Sequence, residues 1–444
     1  MKPVTLLLSV LLLSSACATS NDAALVIANV TVIDATGAPA RPATTVIVRR
    51  GHIVSVGPAA HARIPRKGRV VDGKGKYLIP GLFDMHTHLS FYGAEALPVL
   101  VRYGVLAVRD LGGSLDELDA WRAEIARGAR TGPRIYRAGP YIDGPKELQG
   151  SPDAVKLRRA TTITVITPEE ARAAVISLKQ RGVDTIKTHN GLSHEAYLAV
   201  AVECRRQDIP LATHLPSRSV TIEEASDAGA TTLEHIEMLT ESICFANIPP
   251  GGKPKDPVVA LDEITDERAM ELFRRFAHNG TTYDPTLVAY RTFMQEAVDL
   301  APKDPRYVKA AAGRSKMFHR FVQLVGLMKR AGVQVIAGTD FGIRPETVPY
   351  PVPRPGADLH DELQLFVEAG FTPMEALQSA TQVPARILRV EDRRGTVEAG
   401  KEADLVLLDA DPLADIANTR KIAAVVVRGV LLDREQLEKN DSVK

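Results

Sequence analysis

Two histidines one residue apart, His86 and His88, close the stretch Gly81-Leu82-Phe83-Asp84-Met85-His86-Thr87-His88. Residues two apart on a strand point to the same side, so an extended His-x-His aims two imidazoles at one point, which suits a metal ion. By itself the pair fits a surface strand with incidental histidines equally well. Further residues able to bind a metal follow at matching places. Lys187 follows Val183-Asp184-Thr185-Ile186, His214 follows Pro210-Leu211-Ala212-Thr213, His235 follows Thr231-Thr232-Leu233-Glu234, and Asp340 ends the run from Val333 to Thr339. Each stands at the C-terminal end of a segment that reads as a strand, and a fold that gathers strand ends at one mouth would bring them together.

The elements that must position them alternate. Strands are predicted at Leu78 to His88, Val105 to Leu111, Arg134 to Tyr141, Val183 to His189, Pro210 to Leu215, Thr231 to Ile236, Thr281 to Leu287 and Val333 to Asp340. Between them lie helices at Pro168 to Arg181, Ser193 to Gln207, Asp266 to His278 and Ser315 to Ala331, with Gly182 and Gly332 placed as stops. Strands and helices alternating in this way predict a (β/α)8 TIM barrel over residues 78–394. A doubly wound open sheet is the alternative, but no Gly-x-Gly-x-x-Gly follows a strand. Residues 23–77 and 395–434 are strand-rich and too few to close a core separately, so together they predict a small composite β-sandwich domain. Gly144 to Ile163 and the proline-rich Pro345 to Pro355 read as loops over the barrel mouth.

Composition excludes some classes. With 444 residues, 45% hydrophobic, 25% charged and a net charge of +1, the chain has ample core and no basic nucleic-acid footprint. Met1-Lys2, the apolar run Val4 to Leu13 and the small residues before Cys17 predict an export signal over residues 1–22. Cys17 resembles a lipobox cysteine, which would anchor the protein to a membrane without a spanning helix, so the localisation is read as periplasmic or as a bacterial lipoprotein. Cys204, on a predicted helix, and Cys244, in a predicted loop, read as small apolar fillers.

The motifs Pro80-Gly81-Leu82-Phe83-Asp84-Met85-His86-Thr87-His88, Ile186-Lys187, Thr213-His214, Leu233-Glu234-His235 and Gly338-Thr339-Asp340 resemble those of the amidohydrolase superfamily, close to its imidazolonepropionase-like and prolidase-like members. Leu359-His360-Asp361-Glu362-Leu363, Thr372 to Leu377 and Gly395 to Leu405 extend the resemblance over about residues 24 to 432. It implies two divalent ions, commonly zinc, with His86, His88 and Asp340 on one, His214 and His235 on the other, and a carboxylated Lys187 bridging them. A plain ammonium at Lys187 in a one-metal site is the alternative. The implied reaction is attack of a metal-bound hydroxide on a carbonyl, with Asp340 as general base and then acid. No Gly-x-Ser-x-Gly elbow offers a side-chain nucleophile.

Beyond the metals, His189 follows Lys187 by two residues, and Tyr283, Thr286 and His360 lie near strand ends or in following loops; His189, Tyr283 and His360 are the candidate substrate contacts. Asp110 reads as a turn residue. The substrate expected is a dipeptide or N-acyl amino acid whose carboxylate one of Arg102, Arg109, Arg134 or Arg137 would hold. Alternatives are a cyclic amide, lactone or ester on the same site, or an exported binding protein without chemistry. The partners expected are a small-molecule substrate, no nucleic acid, and a homo-oligomer.

Overall fold

The computed structural model describes residues 23–146, 152–245, 248, 252–300, 306–344 and 351–439. The export signal over 1–22 and Cys17 lie outside the described residues, as do parts of both predicted mouth loops.

Both ends of the chain meet in one eight-stranded sheet. Its order is Val430–Asp433, Ile422–Val427, Leu405–Leu408, Tyr77–Pro80, Ala24–Val32, Arg41–Arg49 and His52–Pro58, with Gly68–Asp72 also paired to Ala24–Val32. Leu405 to Leu408 run antiparallel to Pro80 to Tyr77, joining the late segment to the early one. The central strands Ala24–Val32, Tyr77–Pro80 and Leu405–Leu408 are rich in Val, Ile and Leu and buried on both faces. Leu25, Ile27, Val30 and Val32 pack with Val46, Val48, Leu405, Leu407 and Val426 on one side, while Val26 and Ile47 turn to the other.

The remainder is α/β with parallel sheets. Leu82–Thr87, Val105–Asp110 and Arg134–Arg137 form one. Ile186–Thr188, Leu211–Thr213, Thr232–Glu234 and Thr282–Asp284 form the main part of the other. Main-chain hydrogen bonds join the two on both sides. Asp184 N donates to Arg137 O (2.8 Å) on one side. On the other, Ile336 N reaches Tyr283 O (2.9 Å), Met85 N reaches Ala337 O (2.9 Å) and Asp340 N reaches His86 O (2.8 Å). The crossover helices bury apolar stripes against this core, as with Ala171, Ala174, Val175 and Leu178 of Pro168–Gln180. Thr167 and Glu170 form a capping box at the start of that helix.

Several predicted boundaries are corrected. The first predicted strand is two, Tyr77–Pro80 in the terminal sheet and Leu82–Thr87 in the parallel one. They divide at Gly81, where a Cβ would come within 2.8 Å of Leu106. The third is divided into Arg134–Arg137 and Tyr141–Asp143 by Gly139, at φ +70°, and Pro140. Val333 to Asp340 makes only an isolated bridge at Val335, because Ala337 N turns away to Ser379 O. The segment predicted as a loop from Gly144 contains the helix Pro152–Thr161, and Cys244 lies in the helix Met238–Phe245.

Candidate metal centre

His86 comes from the end of Leu82–Thr87, and His88 is the residue on which the helix Leu89–Tyr92 begins. Lys187 is central in Ile186–Thr188, and His214 and His235 each follow the last residue of a parallel strand. Asp340 lies against both first-strand histidines: its Oδ1 is 3.2 Å from His88 Nε2 and 3.5 Å from His86 Nε2. Its Oδ2 is 4.0 Å from His235 Nδ1. The ring centroids of His86 and His235 are 4.6 Å apart, those of His235 and His214 4.8 Å, and those of His214 and His189 4.6 Å. The structure therefore brings His86, His88, His189, His214, His235 and Asp340 into one group.

Local backbone serves this convergence. His235, Thr286 and Asp340 adopt left-handed φ values of +69°, +46° and +55°. Such conformations are costly for residues with a Cβ and persist where the surroundings enforce them. Asp84 is one enforcer: it is fully buried, and its Oδ1 accepts from His86 N (3.2 Å) and Thr339 N (3.1 Å) while its Oδ2 accepts from Thr339 Oγ1 (2.6 Å). One carboxylate thus ties the His86 strand to the residue before Asp340. Gly338 is required just upstream, since a Cβ there would lie 2.6 Å from His86 Cβ and 2.5 Å from Asp284.

Electrostatics favour neutral imidazoles. Burial is the main cause holding His86, His214 and His235 well below the ordinary histidine value, with Lys187 and neighbouring histidines adding to it. Burial raises Asp340, but His86 and His88 outweigh it and leave the carboxylate below its usual range. Burial also lowers Lys187 to about 8, against the upward pull of Glu234. Lys187 Nζ, His86 Nε2 and His88 Nδ1 are buried polar atoms without a hydrogen-bond partner. Buried polar groups in native proteins are almost always satisfied, so this cluster of orphans in a His/Asp donor set fits divalent cations.

The remaining predicted contacts divide. His189 belongs to the site, stacked between Tyr141 (4.7 Å) and His214, with Nδ1 3.2 Å from Asp143 Oδ2 and 3.1 Å from Lys146 Nζ. Tyr283 does not offer its hydroxyl to a substrate: it is fully buried and donates to the main-chain oxygen of His235 at 3.0 Å. Thr286 supports the same residue, its Oγ1 lying 3.0 Å from His235 Nδ1. His360 is corrected outright. It sits fully buried in Ala357–Glu368 with Nδ1 2.9 Å from Thr419 Oγ1 and Nε2 3.0 Å from Tyr103 O, so neither nitrogen is left for a ligand. Asp110 holds a turn as expected, accepting from Leu89 N and Gly112 N.

Three of the arginines considered for a substrate carboxylate are committed elsewhere. Arg109 is buried on Glu234 and Thr232, Arg134 reaches Asp404 and Glu402, and Arg137 binds Asp119, Asp184 and main-chain oxygens. The guanidinium of Arg102 lies over the Tyr103 ring at 5.7 Å. Sequence reading assigned no role to Asp84, Asp143, Glu234 or Asp284, and Arg109 was considered for the substrate instead of behind the site. Glu234 and Asp284 carried one available signal: each is adjacent in the chain to a residue already singled out, His235 and Tyr283.

The sequence profile of the Amidohydrolase family matches residues 77–432. The chain is 24% identical to the imidazolonepropionase of Symbiobacterium thermophilum over 413 residues, covering 88% of this chain and 90% of that protein. Among solved structures, molinate hydrolase is similar at a TM-score of 0.68 and 25% identity, covering 93% of this chain and 95% of that one. A Xaa-Pro dipeptidase with bound methionine superposes at a TM-score of 0.70 and 21% identity, covering 93% and 100%.

Proposed function

The chain belongs to the amidohydrolase family and is a metal-dependent hydrolase acting on C–N bonds, and from that premise we propose that its substrate is a small amide with a free carboxylate, such as a dipeptide or an N-acyl amino acid. The observation that carries the reading is the meeting of His86, His88 and Asp340, with His235 and then His214 beside them and with buried nitrogens of Lys187, His86 and His88 left unpaired. We read the parallel sheets as a (β/α)8 barrel over residues 78–394 and the shared terminal sheet as a β-sandwich domain over 23–77 and 395–434.

In this reading His86, His88 and Asp340 hold one divalent ion and His214 and His235 the other. Zinc suits a set of imidazoles and a carboxylate. Ions bound there supply Lewis acidity that acidifies water and polarises a carbonyl. The chain's own residues do the rest. Lys187, buried and without a partner at Nζ, is placed to react as a free amine with carbon dioxide, and the carbamate would be an anionic bridge between the two ion positions. Asp340, ionised and within 4.0 Å of three histidines, takes a proton at its carboxylate and passes it to the leaving nitrogen.

Support for a carboxylated substrate comes from Lys146, whose Nζ lies 3.1 Å from His189 and so one ring away from His214, although Asp143 shares its charge. A second reading, a cyclic amide, is favoured by the similarity to imidazolonepropionase over most of both chains. Turnover of zinc-loaded protein against dipeptides, N-acyl amino acids and imidazolones decides between them. Hydrolysis confined to the open-chain carboxylates supports the first; hydrolysis of the ring alone supports the second, and turnover of none of them contradicts both. Export through residues 1–22 and lipid attachment at Cys17 complete the proposal. Radiolabelled palmitate should enter the protein in a bacterial host and not enter a Cys17→Ala variant.

A further inference from the structure

Arg109 is the largest of the fully buried side chains, 1% exposed, and its guanidinium lies inside the parallel sheets. Its Nε donates to Met85 O at 2.7 Å and its Nη1 to Thr232 Oγ1 at 3.0 Å. Its Nη2 reaches both oxygens of Glu234 at 3.0 Å and lies 3.5 Å from Asp284 Oδ2. Met85 is the residue before His86, and Glu234 is the residue before His235. One rigid guanidinium therefore holds the neighbours of two candidate ligands that come from different sheets. Glu234 also flanks His86 directly, with Oε2 3.0 Å from Nδ1, and Asp284 Oδ2 lies 3.6 Å from the same nitrogen.

Fold stability alone does not call for such an assembly. Burying ions carries a large desolvation penalty, and apolar residues of similar volume often stabilise a core as well or better. A lysine could not reproduce the arrangement either, because its single ammonium lacks the planar fork that reaches Met85, Thr232 and Glu234 together. Buried charge directly behind the His86 imidazole, carried by the residue that precedes His235, has a clearer use in orienting the two, since partners of a ligand's far nitrogen and backbone tune metal affinity.

We infer that Arg109, with Glu234 and Asp284, is a positioning clamp that fixes the His86 side of the metal centre in register with the His235 side. The inference rests on the metal-centre reading proposed above. Glu234→Gln keeps shape and removes charge; Arg109→Met combined with Glu234→Leu removes both charges and keeps volume. Zinc is titrated into chelator-treated full-length protein in competition with a chromophoric chelator, and the metal-free melting temperature is recorded alongside.

The expected result is a metal-free melting temperature close to wild type for the double variant, with zinc binding weakened about 10- to 100-fold. Glu234→Gln should fall in the same direction, and kcat should drop with it. A folded variant of either kind with wild-type zinc affinity overturns the clamp. So does failure of both variants to fold, which would make the assembly a folding element only. Wild-type protein that takes up no zinc overturns the metal-centre reading and the clamp with it.

Discussion

In the proposed mechanism the chemistry turns on Asp340, which meets His86 and His88 through one oxygen and faces His235 through the other. Asp340→Asn should lower kcat by about a thousandfold, as loss of a general base and ligand does, while circular dichroism and melting temperature stay near wild type. Retained turnover would remove Asp340 from the mechanism. Tyr283→Phe deletes a single bond to the His235 carbonyl; it should cost about 1 kcal/mol of stability and lower zinc affinity more than it changes substrate KM. A change confined to KM would instead make Tyr283 a substrate contact. At this scale the sequence was legible where chemistry needs rare residues at fixed places: His86, His88, His235 and Asp340 lie within reach of one another, with His214 beside His235. It was illegible where common residues act from behind. Asp84 and Arg109 sit within strands, where nothing in their type or spacing separates a ligand's support from an ordinary buried polar group. Tyr283 and His360 misled for the converse reason, since nearness to a strand end does not say which way a side chain turns.

Among the elements, the helix Ala357–Glu368 carries a pH dependence of its own. Burial pushes His360 down to about 4 from the ordinary 6.5, so the native state holds it neutral while the unfolded chain protonates it first. Its stabilising contribution is complete above about pH 6.5 and is lost as pH falls from there through about 4, amounting to about 3 kcal/mol at most. Urea denaturation from pH 7 to 4 should show His360→Gln with a shallower acid slope than wild type; equal slopes would refute the assignment. The regular helices were readable from capping and apolar spacing, as Pro168–Gln180 shows. The predicted strand from Val333 was not, because its hydrogen bonds are divided among Tyr283 of one parallel sheet, His86 of the other and Ser379 at the end of a helix, which only the assembled fold decides. The helix Pro152–Thr161 was hidden by the glycines and prolines that precede it.

Over the whole molecule, the terminal sheet is joined to the catalytic part by more than chain continuity. Tyr77–Pro80 pairs with Leu405–Leu408 and then leads through Gly81 into the His86 strand. Arg134, at the start of a parallel strand, donates Nε to Asp404 at 2.6 Å and also pairs with Glu402. Removing residues 403–444 should therefore leave an insoluble or protease-sensitive product, because Tyr77–Pro80 would lose a central neighbour and become an exposed edge; a soluble, metal-binding truncation would show that the catalytic part stands alone. The joining of the two ends was legible, since neither supplied enough strands for a core by itself. The pairing order was not, because register across hundreds of residues leaves no local trace. Hydrolysis as proposed depends on metal at the His86–Asp340 site. The most direct test is hydrolysis of a C–N bond by chelator-treated protein as zinc is returned, with metal content measured in parallel. Activity should be absent without metal, rise to a plateau at about two equivalents per chain, and stay absent in His86→Asn at every zinc level; turnover that survives metal removal, or that His86→Asn retains, would contradict it.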